Sequence, residues 1–184
     1  MEIQVIQDLE KELDWVKADG NFEHFHIVGV NDDYVEDTKL LMQKAVSKCF
    51  KYPLYIHFEG YDDIIDSVLL KRNKYKIEYR DTGRKVLTMS VGKTYRAKIP
   101  SFTITVPSEN ILKSAFTHWF HLAQENNMWL ITQYPISYRN KFAAVDMTKE
   151  STILLADHDA QSLSIVTNDP LYQGKENVRV IFEK

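Results

Sequence analysis

Cysteine is all but missing from this chain of 184 residues: Cys49 stands alone. One thiol cannot close an intrachain disulfide, so the fold does not depend on an oxidising compartment. Cys49 falls in an apolar helical pattern and reads as a buried helix residue, since a catalytic thiol would need a histidine partner brought to it in space. Glycine and proline are scarce too, at six and five. No stretch rich in them divides the chain, which predicts a single domain over 1–184, a length that suits one domain. Long hydrophobic runs are absent: none exceeds four residues, as in Met128-Trp129-Leu130-Ile131. A membrane helix needs about twenty, so no membrane association is expected. Met1-Glu2-Ile3-Gln4 has neither the basic segment nor the apolar run of a secretory leader, and the expected location is the cytoplasm. Glycine-rich phosphate loops and the G-x-S-x-G elbow are also missing. These absences leave no cofactor to expect and set aside the usual nucleotide-binding and serine-hydrolase classes.

What is present is a globular composition, 44% hydrophobic and 27% charged, far from the disordered class. Ile3, Ile6, Leu9, Leu13 and Val16 recur at helical spacing and predict a helix over 2–18, stopped by Gly20. A strand over 23–30 leads to Asp33, which caps a predicted helix over 34–49 with Glu36 in capping-box position. Leu54–Phe58 is a second strand, and a short helix over 63–71 follows. A strand–helix–strand unit of this length predicts a parallel crossover. From residue 73 the apolar residues alternate with polar ones in four short runs, the mark of an antiparallel meander, with a turn signal at Asp81-Thr82-Gly83-Arg84. Ile111, Leu112, Ala115, Phe116, Trp119, Phe120 and Ala123 mark a long helix over 109–125. Met128–Thr132, Thr152–Ala156, Leu163–Thr167 and Val178–Phe182 read as strands. Residues 134–150 read as loop with a short helix near 138–145. The expected fold is α+β: a mixed, mostly antiparallel sheet of about 8–9 short strands, with 3–4 helices largely on one side.

Charge is segregated along the chain. Residues 1–66 carry 6 basic and 15 acidic side chains, residues 67–106 carry 10 and 2, and residues 107–184 carry 7 and 9. This divides the domain into an acidic βα portion over 1–72, a basic meander over 73–106, and a helix with closing strands over 107–184. If the meander's apolar residues share one face, Lys74, Lys76, Arg80, Arg96 and Lys98 share the other. Such a face can neutralise phosphates, but single-stranded nucleic acid also wants stacking aromatics beside the cations, and Tyr75, Tyr79 and Tyr95 fall on the apolar side. An acidic protein partner, or a solvated face whose lysines block edge pairing, fits the pattern better. Trp15 lies off the apolar stripe of the first predicted helix, among charges, as an interface anchor does; the alternative is that a later segment covers it.

Candidate chemistry is sparse. Asp32, Asp33, Glu59, Asp62 and Asp63 follow the first two central strands. Were those strands neighbours, the carboxylates would meet at one sheet edge and could hold Mg²⁺ or Mn²⁺ for hydrolysis or phosphoryl transfer, although helix capping explains most of them. His118 and His121 sit three apart on the long helix, with Asp157, His158 and Asp159 as distant candidates to complete a zinc site. His24, His26 and His57 belong to strands and read as core or rim residues, with an acid–base role beside Glu59 as the alternative. The expected function is therefore a non-enzymatic interaction module, such as a small cytoplasmic neutralising protein of the immunity type, binding a charged protein partner. A metal-dependent hydrolase and a nucleic-acid-binding accessory protein are the alternatives.

Overall fold

The computed structural model describes residues 2–10 and 12–183. In chain order the elements are β1 (Ile3–Asp8), β2 (Val16–Asp19), β3 (Glu23–Gly29), α1 (Tyr34–Cys49), β4 (Leu54–Glu59), a 3-10 turn running into α2 (Ile65–Leu69), β5 (Lys76–Ser90), β6 (Lys93–Val106), α3 (Glu109–Trp119) with a 3-10 extension to Glu125, β7 (Trp129–Thr132), β8 (Ser137–Arg139), β9 (Phe142–Asp146), β10 (Thr152–Ala156), β11 (Leu163–Thr167) and α4 (Lys175–Val180). Eight strands form one sheet in the order β1-β3-β11-β10-β7-β4-β6-β5, and every described pairing in it is antiparallel. A second sheet, β2-β9-β8, has one parallel pair, β2 with β9. The fold is thus α+β with a mixed, mostly antiparallel strand arrangement.

Period-two alternation sends each strand's side chains to two different cores. Phe25, Ile27, Ile56, Phe58, Phe102 and Ile104 meet Leu41, Met42, Leu112, Phe116 and Val178 of the helices on one face. Leu130, Ile153, Leu155 and Val166 meet Val16, Ala143 and Val145 of the small sheet on the other. The strands between both layers, β7, β10 and β11, are buried along their whole length, which is why β7 and β10 carry continuous apolar runs, while β11 is apolar apart from Ser164 and Thr167. In α1 the Asp33 carboxylate accepts from Glu36 N at 3.0 Å, as the cap signal predicts, while the Glu36 side chain pairs with Lys39 instead of completing a capping box.

Five expectations are corrected. The helix over 2–18 is two strands: Val5 points into the core while Ile6 and Leu9 are 46% and 83% exposed, because pairing with β3 from Ile3↔Gly29 to Asp8↔His24 satisfies the backbone and overrides a helical spacing that buries nothing. The crossover strands β3 and β4 run the same way but are not neighbours; β11, β10 and β7 lie between them. The four-stranded meander is one long hairpin. Its turn signal at residues 81–84 is a bulge inside β5, where Asp81 accepts from Gly83 N at 2.9 Å and Thr82 Oγ1 donates to Ile99 O at 3.1 Å. The reversal falls at Val91-Gly92, both with positive φ, as a two-residue hairpin loop requires. The helix near 138–145 is the β8–β9 hairpin. The strand over 178–182 is α4 and its continuation, and its buried residues Val178, Ile181 and Phe182 sit at helical, not alternate, spacing.

Gly29 is set by a close approach. A Cβ there would lie 2.1 Å from Asp37 Oδ2 and 2.7 Å from Asp37 Cβ. The Asp37 carboxylate is held in place by Asn31, accepting from its backbone N at 3.1 Å and its Nδ2 at 2.6 Å. Gly29→Ala is expected to cost about 1–3 kcal/mol in a urea melt; an unchanged midpoint would mean that Asp37 moves freely aside.

Candidate functional site

Two features stand out from the body of the fold. The first is the outer part of the β5–β6 hairpin. β4 ends at Glu59, opposite Ser101, so among the described residues β5 is the sole strand neighbour of residues 93–99 of β6. The directly opposed pairs Lys85↔Lys98, Leu87↔Arg96 and Met89↔Thr94 put Lys85, Leu87, Met89, Arg96 and Lys98 on one face of this arm. Leu87 and Met89 are 72% and 74% exposed, and Val91 at the tip is 98% exposed. Residues 85–98 hold four cations and no acid.

The expected basic face is divided by this geometry. Lys76 and Arg80 oppose Thr105 and Ser101, on the face covered by the small sheet. Arg96 and Lys98 follow the alternation of Phe102 and Ile104 to the other face, and Lys98 pairs with Asp81 at 3.2 Å. Lys74 lies in the turn before β5, its ammonium 5.2 Å from the centroid of the Tyr75 ring. Trp15 is half-buried against the second core, and its carbonyl accepts from Ala143 N at 2.9 Å.

At the root of the arm, Arg84 Nη2 donates to Glu59 Oε2. Glu59 is 1% exposed. Burial pushes its carboxyl up to about 7, although Arg84 and the Met128 N–H pull it down. The carboxylate set is split in the same way. Asp32 and Asp33 leave β3, whereas Glu59, Asp62 and Asp63 leave β4, four interstrand steps or about 19 Å away across the sheet. Glu59 is committed to Arg84, and Asp33 to the α1 cap. Asp32, Asp62 and Asp63 are exposed.

The second feature is a histidine–carboxylate cluster on β1, β3 and β11. His24 and His26 are two apart on β3 and share a face. Asp8 stands opposite His24 on β1, and Ser164 opposite His26 on β11. Asp157, at the end of β10, completes the group. Asp8 Oδ2 lies 2.9 Å from His24 Nδ1 and 3.7 Å from His26 Nε2. His26 Nδ1 lies 2.8 Å from Asp157 Oδ2, and His24 Nε2 2.7 Å from Ser164 Oγ. Ser164 donates to Asp157 Oδ1 at 2.5 Å, and Ser162 donates to Asp157 Oδ2. His24 is 1% exposed. Burial and the neighbouring His26 push it below the usual imidazole range, against the pull of Asp157 and Asp8. The hydrogen bond to Asp157 holds His26 above that range despite its burial. Burial pushes the Asp8 carboxyl up, but the Glu10 N–H and the two imidazoles outweigh it and leave Asp8 below the usual carboxylate range. The cluster borders a cleft of about 400 Å³ whose rim includes Glu12, Asp14 and His158.

Among the described residues, Asp8, His24 and His26 are the one grouping of three potential metal ligands; His118 and His121 belong to none, and His118 packs edge-on against Tyr75 and Trp119. His57 is fully buried between Thr103 Oγ1 and Thr132 Oγ1, each at 2.9 Å, and burial drives it down to about 3, a neutral core residue. Burial pushes the Cys49 thiol up to about 12, away from nucleophilic use. The spacing of His24 and His26 was visible in the chain. Asp8 was hidden by the helical reading of 2–18, and Asp157 by its place in a turn. No helix among the described residues is long and apolar enough to cross a membrane. Compared with protein-family models, with curated proteins and with solved structures, the chain gives no match in any of the three.

Proposed function

We propose that this protein is a non-enzymatic interaction module that binds an acidic protein partner through the outer part of the β5–β6 hairpin. The observation that carries this reading is the face on which Leu87 and Met89, nearly three-quarters exposed, are flanked by Lys85, Arg96 and Lys98. Covering two such side chains supplies about 1.5–3 kcal/mol each, and the cations speed encounter with a negative surface and select against a positive one. A small neutralising protein of the immunity type, which acts by covering a charged partner, is the form of module that fits.

The test is affinity capture from nuclease-treated source-cell lysate with the wild type and Leu87→Asp/Met89→Asp side by side. The expected result is an acidic protein that binds the wild type, weakens with salt, and binds the variant at least about 30-fold more weakly, as loss of a central contact implies. A protein partner bound equally by both would overturn the reading. Self-association abolished by the variant would make the occupant a second copy of this chain, and retention of nucleic acid without nuclease would favour the phosphate-binding alternative; either would overturn the acidic-partner reading.

A further inference from the structure

We propose that Asp8, His24 and His26 form a binding site for a divalent transition-metal ion of the Zn²⁺ and Co²⁺ kind, open to the adjoining cleft. Proton accounting carries it. Ser164 has one hydroxyl proton and donates it to Asp157 Oδ1. Toward His24 Nε2, 2.7 Å away, its oxygen therefore accepts, which assigns the imidazole hydrogen to Nε2 and the lone pair to Nδ1. His26 Nδ1 faces the Asp157 carboxylate at 2.8 Å, an acceptor, so in the neutral imidazole its hydrogen sits on Nδ1 and its lone pair on Nε2. Both lone pairs are on the Asp8 side, 2.9 and 3.7 Å from Oδ2.

Three acceptors thus converge, with one ligand atom of each residue within 4.8 Å of the others. Acceptors this close repel unless a cation, a proton or a metal ion, lies among them, and His24 Nδ1, buried as it is, makes no aligned hydrogen bond. Donor atoms bound to one metal at about 2.1 Å, at angles of 90–110°, stand about 3.0–3.4 Å apart, between the two observed separations. The outer partners are also those a metal-bound histidine uses: a carboxylate behind His26 and a hydroxyl behind His24, each fixing the tautomer that frees the other nitrogen. Two imidazoles and one carboxylate suit Zn²⁺, Co²⁺ or Fe²⁺ and not Mg²⁺ or Ca²⁺. Three protein ligands leave coordination positions open toward the cleft.

The experiment uses the full chain, chelator-treated and titrated with CoCl₂ by calorimetry and visible absorption. The expected result is one equivalent of Co²⁺ with d–d bands, displaced by Zn²⁺ and untouched by Mg²⁺. Asp157→Asn, which keeps all three ligands, is expected to weaken Co²⁺ by about 10–100-fold. His26→Gln and Asp8→Asn are expected to lose the bands while keeping the wild-type circular dichroism, and His121→Ala and His158→Ala to keep the bands. No bands and no heat from the wild type up to about 100 µM Co²⁺ would overturn the site, as would wild-type affinity in both His26→Gln and Asp8→Asn. If His26→Gln fails to fold, Asp8→Asn, whose side chain is partly exposed, decides.

Discussion

At about pH 8.5, Arg84→Met is expected to cost the fold about 3 kcal/mol, the loss that follows when one partner of a buried ion pair is removed. Glu59 lies at the end of β4, 1% exposed, and its hydrogen-bond partners are Arg84 and the Met128 N–H at 3.4 Å. The penalty should depend on pH in a defined direction. The Glu59 carboxyl is raised from its ordinary 4.5 to about 7. A carboxyl so raised binds its proton more tightly in the folded chain. Its contribution to stability is therefore fully present below about 4.5 and is lost as pH rises through about 7, for a total of about 3 kcal/mol. Without Arg84 the carboxyl is pushed higher still and the loss extends further. Near pH 5 Glu59 is protonated in the folded state of both proteins, so Arg84→Met should cost only the net worth of a hydrogen bond, about 1 kcal/mol. Adding Glu59→Gln should restore most of the stability at about pH 8.5. Urea melts across this range check the prediction; a cost independent of pH would show that Arg84 acts through packing alone. Arg84 also belongs to the bulge that roots the arm, so the same variant should loosen residues 85–98 in hydrogen exchange.

Phe58→Ala is expected to cost a further class of stability, about 3–5 kcal/mol. The Phe58 ring is fully buried and stacks on Phe102, Trp119 and Trp129 at centroid distances of 5.3, 5.4 and 5.4 Å. These neighbours come from β6, α3 and β7, so the ring ties the hairpin, the long helix and the middle of the sheet into one core. Truncation leaves a space that stiff aromatic neighbours cannot close, whereas Phe58→Leu should cost under about 1.5 kcal/mol. Tyr79→Ala, which also loses a Phe102 contact at 5.7 Å but from a side chain 39% exposed, should cost clearly less than Phe58→Ala. Tryptophan fluorescence and far-ultraviolet circular dichroism should report one coincident transition in each variant. Two separated transitions would break the single-domain reading.

Much of the framework was legible because its signals are local. The Asp33 cap, the apolar stripe of α1 and α3, and the apolar runs of β7 and β10 each concern residues within a few positions of one another. The failures came where a local signal met a distant partner. Residues 2–18 have helical spacing, yet β3 offered a ladder to residues 3–8 and β9 offered one to residues 16–19. Asp81-Thr82-Gly83-Arg84 has turn chemistry, yet the strands on both sides continue, and the same hydrogen bonds close a bulge. Val178, Ile181 and Phe182 could be counted as an apolar run, and their helical spacing became decisive once a sheet face needed covering.

The candidate sites divide the same way. The chain by itself determined that cations crowd into residues 67–106, that one cysteine rules out an intrachain disulfide, and that His24 and His26 share a strand face, since composition and a period of two need no partner. Only the tertiary structure decided that Arg96 and Lys98 sit with Leu87 on one face of the outer hairpin while Lys76 and Arg80 face the other way, because a long hairpin replaced four short strands. Only it brought Asp157 to His26, 131 residues away in sequence, and kept Asp32 and Asp33 from Glu59. Strand order sets which side chains meet, and strand order is settled by long-range pairing and by burial on both faces of the sheet, neither of which is written in any short stretch of the chain.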